Sequence, residues 1–211
     1  MYEISMDELH NLWFECRSAA KYARAHYEDF ATRKHTHTLY GGIGYALGAE
    51  IPSKFTPQKA KKLSTKTRRE NYTMYELDDA YNVLRTVYMY HFTQIDCIYH
   101  HFDLNGLSYA YPFRGDGKDL YTDEIAVLKK SAGKPIMFAC ASKPLLFVQF
   151  YEYMENGKMK VSTYRYWPTA KTTEHGYPVD RNAPLDALNC PVSRHETEEV
   201  PCLVDFENLL K

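Results

Sequence analysis

Apolar side chains recur at steps of three and four residues along the first thirty positions of the chain. Ser5 followed three residues later by Glu8 has the form of a capping box, so this pattern predicts a long amphipathic helix that begins there. A second such pair, Thr73 with Glu76, precedes another apolar run at helical spacing that continues to position 102. We expect a second and longer helix over this run, ended by the turn at residues 105–106.

The second half of the chain has the composition of strands. Residues 107–113, 136–141, 145–154 and 159–167 are rich in β-branched and aromatic side chains, which favour a pleated sheet. Residues 122–130 instead predict a short helix that ends at Gly133. After Trp167 the chain is rich in Pro, Thr, Asp and Asn and shows little periodicity until Leu203, so we expect an irregular segment there.

These elements predict an α+β fold and a single domain of residues 1–211. The helical part would span about residues 1–104 and the sheet-containing part about residues 105–211. N-terminal helices would pack on a small antiparallel sheet, and the irregular C-terminal segment would close over it. A chain of 211 residues can bury a substantial core without disulfide bonds.

Composition also narrows the expected location of the protein. Hydrophobic residues make up 45% of the chain, but no run approaches the roughly 18 consecutive apolar residues that a membrane helix needs. The first residues are acidic where a signal peptide would be basic and then apolar. The five cysteines are scattered, which is typical of reduced thiols. We therefore expect a cytoplasmic protein that does not enter a membrane.

Positive charge is concentrated in residues 54–69, although the net charge of the whole chain is only −1. This basic segment holds seven Lys and Arg side chains and no acidic one, and such an excess attracts polyanions. Thr56 followed by Pro57 predicts a helix start within it. The predicted helix would carry a basic stripe of Lys59, Lys62, Lys66 and Arg69. The alternative is a solvated helix face, which is what most runs of charge are.

Tyrosine is the other excess, with 19 copies. Asn156-Gly157 between two β-rich runs predicts a hairpin with a two-residue turn, which sets the register of its strands. In that register Tyr151 faces Ser162, and one face of the sheet presents Tyr151, Tyr153, Tyr164 and Tyr166. Unpaired bases can stack on such a face, each stabilising a complex by about 1–3 kcal/mol. Alternatively, the tyrosines lie under a helix and send their hydroxyls to its rim.

Metal and nucleotide sites have little support. The residues that cluster as candidate zinc ligands are His175, Cys190, His195 and Cys202, but their spacing matches no compact zinc knuckle. Four glycines within residues 41–48 are not preceded by a convincing strand, which a phosphate-binding loop requires. We predict neither a metal nor a cofactor, and close packing of a short helix is the preferred interpretation of the glycines.

Two triplets of the form His-x-Thr occur, at residues 91–93 and 195–197. They resemble the triplets with which two-histidine phosphoesterases hold a phosphodiester between paired imidazoles and hydroxyls. In that family both triplets lie on strands, whereas the first one here falls inside the predicted long helix. Because nine histidines allow such a pair to arise by chance, we do not predict this activity.

The leading prediction is a cytoplasmic, non-enzymatic module that binds nucleic acid, with RNA or single strands favoured. Lys59, Lys62, Lys66, Arg68 and Arg69 would contact phosphates, and Tyr151, Tyr153, Tyr164 and Tyr166 would stack on bases. One alternative is a protein-interaction factor or inhibitor that occupies a nucleic-acid-processing complex, bound to an acidic surface of its partner. Another is a metal-independent ribonuclease or phosphodiesterase in which His35 or His37 serves as acid or base.

Overall fold

The structure is a computed structural model that describes residues 4–41, 65, 72–90, 94–114, 124–143, 145–168 and 192–202. Within these ranges the chain forms two helices and ten strands. The helices are α1 (Met6–Ala25) and α2 (Tyr27–Ala31). The strands are β1 (His37–Gly41), β2 (Tyr72–Leu77), β3 (Val83–Tyr90), β4 (Gln94–Leu104), β5 (Leu107–Arg114), β6 (Ile125–Ser131), β7 (Lys134–Ala141), β8 (Leu146–Tyr153), β9 (Lys158–Trp167) and β10 (Val192–Pro201).

All ten described strands belong to one antiparallel sheet. Each strand pairs with the next one in the chain, so the strand order runs from β1 to β10 without a crossover. The predicted α+β fold, with helices packed on a small sheet, is therefore wrong, because the sheet is the principal element. The helical part predicted for residues 1–104 is reduced, among the described residues, to α1 and α2, and β1 to β4 follow them.

Helix α1 is confirmed, including its capping box. The Ser5 hydroxyl accepts a hydrogen bond from the Glu8 backbone N–H at 3.2 Å, and the Glu8 carboxylate accepts one from the Ser5 N–H at 2.7 Å. The buried side of α1 is formed mainly by small residues: Leu9, Cys16, Ala19, Ala20 and Ala23. Short side chains let a helix axis approach its neighbour closely, and α1 packs on β5, β6 and β7 while α2 packs on β4.

The residues predicted to form one long helix form β2, β3 and β4 instead. Apolar positions four residues apart satisfy the helical period, but a step of four is also even and satisfies the strand period of two. A turn separates β2 from β3, where the Asp78 carboxylate accepts hydrogen bonds from the Ala80 and Asn82 N–H groups at 2.9 and 2.8 Å. Thr73 and Glu76, the supposed capping box, both lie within β2.

The β8–β9 hairpin does not have the predicted register. Its turn is one residue longer, because the Gly157 N–H donates to the Met154 carbonyl at 3.3 Å and the Met154 N–H donates to the Lys158 carbonyl at 2.9 Å. Gly157 has a φ of 75°, so the loop ends in a glycine bulge. Tyr151 consequently faces Val161 instead of Ser162. A slip of one residue moves every side chain of β9 to the other face relative to β8.

Strands β6 and β10 replace two further predictions. Residues 125–131 form β6 where a short helix was expected. Strand β10 pairs with β9 over its full length, from Val192 opposite Trp167 to Pro201 opposite Lys158, so the C-terminal part is not irregular throughout. Its sequence lacks an apolar pattern because several of its side chains are exposed. Residues 169–191 lie outside the described ranges.

Both faces of the sheet are buried. The helix face packs with α1 and α2 and includes Tyr109, Ile125, Leu146, Tyr164 and Tyr166. The second face includes Ala110, Leu128, Phe138, Tyr151, Met159 and Val161. Strands buried on two sides have nearly continuous apolar runs, as in residues 125–128 of β6.

The observed turn makes a prediction about Gly157. Replacing Gly157 with Ala should lower the free energy of unfolding by about 1–2 kcal/mol, because an L residue is strained at positive φ. An added Cβ would meet no atom within 4 Å, so the backbone alone accounts for the loss. Urea unfolding measures it. Glu155→Ala in the same loop is the control and should change stability by less than about 0.5 kcal/mol. Equal effects in the two variants would contradict the observed turn.

Candidate functional site

The four tyrosines of the predicted stacking face lie on two different faces of the sheet. Tyr151 and Tyr153 pack on the second face, whereas Tyr164 and Tyr166 pack on the helix face. Tyr151 and Tyr164 expose only 5% of their surface, and Tyr166 exposes 0%. The prediction of one shared tyrosine face is therefore wrong, and the cause is the register of the β8–β9 hairpin.

The hydroxyls of Tyr151, Tyr153 and Tyr166 make polar contacts within the fold. The Tyr151 hydroxyl donates to Gln149 Oε1 at 3.0 Å, and the Tyr153 hydroxyl donates to the Pro135 carbonyl at 2.6 Å. The Tyr166 hydroxyl lies 2.5 Å from His10 Nδ1. Burial raises the pKa of Tyr151 well above its usual value, so this hydroxyl remains a neutral donor. A base cannot reach the buried rings unless the sheet opens, and we leave them out of the binding surface proposed below.

Lys59, Lys62, Lys66, Arg68 and Arg69 are all outside the described residues. Their contact with phosphates therefore stays a prediction. In the sequence, the basic segment of residues 54–69 lies between β1 and β2.

The described residues place histidines, an ion pair and an exposed aromatic ring around the start of β1. Residues 32–36 connect α2 to β1, and His37 is the first residue of β1. The turn between β2 and β3 lies beside this connection, because His37 pairs with Leu77 at the end of β2. We call this group of side chains the β1 site, which consists of His35, His37, Glu76, Tyr81 and Arg85.

Arg85 holds the connection before β1 in place. Its Nη1 donates to the carbonyls of Ala31 and Arg33, both at 3.0 Å, and its Nε donates to Glu76 Oε2. The side chains of Arg85 and Glu76 are only 12% and 11% exposed. Carbonyls at the end of a helix lack partners within it, so a guanidinium satisfies them well. Arg85 thereby joins the end of α2 to the sheet and fixes the chain that enters β1.

His35 contacts the same ion pair through Nδ1. This nitrogen lies 3.2 Å from Arg85 Nη2 and 3.6 Å from Glu76 Oε2. A guanidinium can only donate, so Nδ1 accepts and the proton of the neutral ring is on Nε2. In this state His35 offers a hydrogen-bond donor to solvent and no accessible base. The geometry gives no support to His35 as a general base, and the ribonuclease or phosphodiesterase alternative stays a prediction.

His37 and Tyr81 form a stacked pair at the surface. Their ring centroids are 4.4 Å apart and their planes differ by 11°. Tyr81 is 42% exposed and has a φ of 63° in the turn after β2. Among the described residues, it is the one aromatic residue with a positive φ, a region that is unfavourable for bulky side chains. The pair gives the β1 site an accessible aromatic surface.

Two further histidines, on β4, are structural. His100 lies on the helix face beside the rings of Tyr27 and Phe113, and His101 Nε2 lies 2.7 Å from Thr86 Oγ1. Burial, with repulsion from nearby arginines, lowers the pKa of His100 to about 4. Burial, with repulsion from His100, lowers the pKa of His101 to about 3. Both imidazoles are therefore neutral at pH 7.

The remaining candidate residues do not form a site in the part of the chain that the structure describes. His195 and Thr197 lie on β10, with Thr197 Oγ1 3.0 Å from His195 Nε2, and the His195 ring stacks on Tyr164 at 4.2 Å. This triplet does lie on a strand, but residues 91–93 lie outside the described ranges, as do His175 and Cys190. Within those ranges, no group of three or more His, Cys, Asp or Glu side chains could hold a metal ion.

Comparison with known proteins leaves the family open. The chain matches no family model, no curated protein and no solved structure. Among the described residues, neither helix is long and apolar enough to cross a membrane. The function must therefore be argued from the site itself.

Sequence reasoning named His35 and His37 but missed Glu76, Tyr81 and Arg85. All three missed residues fell inside the predicted long helix. A signal was present, because the turn-forming residues at positions 78, 79 and 82 interrupt the apolar pattern. A hairpin centred there places Glu76 opposite Arg85, an oppositely charged pair across two strands.

The buried ion pair predicts a large effect at Arg85. Arg85→Ala should lower the free energy of unfolding by about 3–5 kcal/mol, because it leaves a buried carboxylate and two carbonyls without their partner. Urea unfolding measures this effect. Arg165→Ala is the matched control, since Arg165 pairs with Glu196 at 3.2 Å with side chains 31% and 65% exposed. It should cost about 1 kcal/mol or less. Equal losses would contradict the role assigned to Arg85.

The neutral histidines predict a loss of stability in mild acid. In the unfolded chain His100 and His101 take up protons near pH 6.5, whereas in the fold they do so only near pH 4 and pH 3. Stability is therefore fully present above about pH 6.5 and falls as the pH decreases towards those values, by about tenfold in the folding equilibrium per pH unit for each histidine.

Urea unfolding at several values between about pH 5 and 7.5 tests this dependence. His100→Leu should make the fall shallower, because one of the two buried imidazoles is then missing. His195→Gln removes an exposed imidazole and should leave the slope unchanged. The same slope in wild type and His100→Leu would show that His100 is not responsible.

Proposed function

We propose that the protein binds single-stranded nucleic acid, with RNA favoured, at the β1 end of the sheet. The observation that carries this proposal is the distribution of positive charge around β1. Residues 33–37, which lead into β1, carry Arg33 and Lys34, and the basic segment of residues 54–69 follows β1 in the sequence. Concentrated positive charge attracts a phosphate backbone and accelerates its binding.

The opposite end of the strand order carries the opposite charge. Strand β10 contains three glutamates, of which Glu196 and Glu199 are exposed. A polyanion is repelled there and attracted towards β1, so the charge asymmetry orients it on the protein.

The cations around β1 have different roles. Arg33 donates to the His101 carbonyl at 2.6 Å, and its guanidinium lies 4.3 Å from the centre of the Phe30 ring, so it serves the fold. Lys34 is exposed and can reach a ligand. The other phosphate contacts would come from Lys59, Lys62, Lys66, Arg68 and Arg69. Phosphate contacts carry no sequence information, so binding should depend strongly on salt and weakly on sequence.

Single strands are favoured over duplexes because of an exposed aromatic ring. This ring lies at the same end of the sheet as Lys34, and unpaired bases can stack on such a ring whereas bases inside a duplex cannot. The combination of cations and an accessible ring is typical of proteins that bind single strands.

Fluorescence anisotropy of labelled single-stranded RNA, single-stranded DNA and duplex DNA tests the proposal, at about 50 and 200 mM salt. The test variant carries Lys62→Ala, Lys66→Ala and Arg69→Ala. Its salt slope should become shallower by up to about 0.7 to 0.9 for each lost phosphate contact, with weaker binding throughout.

A control variant with Lys129→Ala, Lys134→Ala and Lys158→Ala removes the same charge from other exposed positions and should bind almost like the wild type. No binding by the wild-type protein at the lower salt concentration would overturn the proposal. A stoichiometric protein partner that survives nuclease treatment would instead favour the protein-interaction alternative.

A further inference from the structure

We infer that the exposed ring of Tyr81, backed by the imidazole of His37, is the surface on which an unpaired base stacks. This inference rests on the nucleic-acid function proposed above and names the residue that would contact a base. It assigns the stacking to a ring that a ligand can reach, in place of the buried tyrosines of β8 and β9.

The geometry of the pair suits a stacking surface. His37 stacks on one face of the Tyr81 ring at 4.4 Å and nearly parallel to it, while Tyr81 as a whole remains 42% exposed. A ring supported from behind keeps its orientation, and less conformational freedom is lost when a base stacks on it. A base that stacks on the other face of Tyr81 would be the third ring of the same stack.

The turn that carries Tyr81 has the same backbone hydrogen bonds as the β8–β9 turn, and the comparison shows which conformation they require at position 81. In the β2–β3 turn the Asp78 N–H donates to the Asn82 carbonyl and the Tyr81 N–H donates to the Asp78 carbonyl, both at 3.0 Å. The β8–β9 turn has the same two hydrogen bonds, at 2.9 and 3.3 Å, with Gly157 in the position of Tyr81. Their φ values, 63° for Tyr81 and 75° for Gly157, lie in the same left-handed region.

Glycine adopts this conformation easily, whereas tyrosine is strained in it. The other two described non-glycine residues with positive φ have a structural reason for it. Asn105 and Ala132 each precede a glycine with positive φ in a two-residue hairpin turn, which requires positive φ at both positions. The β2–β3 turn likewise requires a positive φ at position 81, as Gly157 shows for the matching turn, but its hydrogen bonds do not require a tyrosine there. Strained residues are concentrated at binding sites, and the tyrosine side chain is the part of this strain that the turn leaves unexplained.

The other exposed rings on the described surface are less suitable. Phe14, on α1, packs edge-on against His10 and Trp13 at 4.7 and 5.1 Å. Tyr22 is covered by His26 at 4.0 Å and packs against Phe102 at 5.7 Å. Neither belongs to the β1 site.

The charges around Tyr81 favour a base over a phosphate at the ring. Asp79 is exposed and Asp78 is half-buried in the same turn, and carboxylates repel phosphates. Lys34, three residues before His37, offers a cation on the side of the connection. A single strand would therefore place its phosphates towards the connection and a base on the ring.

The test uses the full-length protein and a single-stranded RNA that contains 2-aminopurine, whose fluorescence is quenched when it stacks. Tyr81→Asn removes the ring and keeps a residue that tolerates positive φ. It should weaken binding by about 5- to 150-fold and abolish the quenching. The salt slope should not change, because the phosphate contacts remain. Tyr81→Phe keeps the ring and should retain both affinity and quenching.

Met154→Ala is the matched control, because Met154 is 36% exposed in the hairpin whose turn has the same hydrogen bonds. It should bind and quench like the wild type. Tyr81→Gly gives a second ring-free variant, and thermal unfolding verifies that each variant is folded. Wild-type affinity and quenching in Tyr81→Asn and Tyr81→Gly would overturn this inference and leave the proposed function standing. No RNA binding by the wild-type protein itself would overturn both.

Discussion

Burial of both faces of one continuous sheet is the constraint on which the rest of the structure depends. In a sheet with one solvated face, a strand can place its polar side chains in water. Here α1 and α2 cover the helix face, and the second face is packed as well across β5 to β9, so these strands have one register that buries both sets of side chains. The tyrosines of β8 and β9 belong to this packing, which is why they are parts of the core and do not form a binding surface.

The β1 site exists because two local interactions join the helices to the start of the sheet. Arg85 connects the end of α2 with Glu76 of β2, and this contact fixes the chain that enters β1. The turn after β2 then presents Tyr81 to His37. The exposed Lys34, an accessible ring and a rigid support therefore occur together at the end of the strand order opposite the glutamates of β10. This coincidence, and no single residue, is the basis of the functional proposal.

The part of the fold that could be predicted from the sequence is the part that local interactions determine. The capping box at Ser5 and the small buried residues of α1 act within a few positions of each other, and the helix has the expected start. Strands β2 to β4 were mistaken for a helix because apolar steps of four residues fit both periods. Strand β10 was missed because it has no apolar alternation, and the hairpin register was missed because a turn longer by one residue exchanges the faces. For the site, His35 and His37 were identifiable as histidines next to Arg33 and Lys34 in the chain, whereas Arg85 and Tyr81 join them only through strand pairing.

Binding of a single strand at the β1 end of the sheet is tested most directly by mapping photochemical crosslinks between the protein and a single-stranded RNA containing 4-thiouridine, read by mass spectrometry of the crosslinked peptides. We expect crosslinks in the peptides that carry residues 33–37, the basic segment of residues 54–69 and Tyr81. Crosslinks concentrated on β10, or spread evenly over the surface, would contradict it.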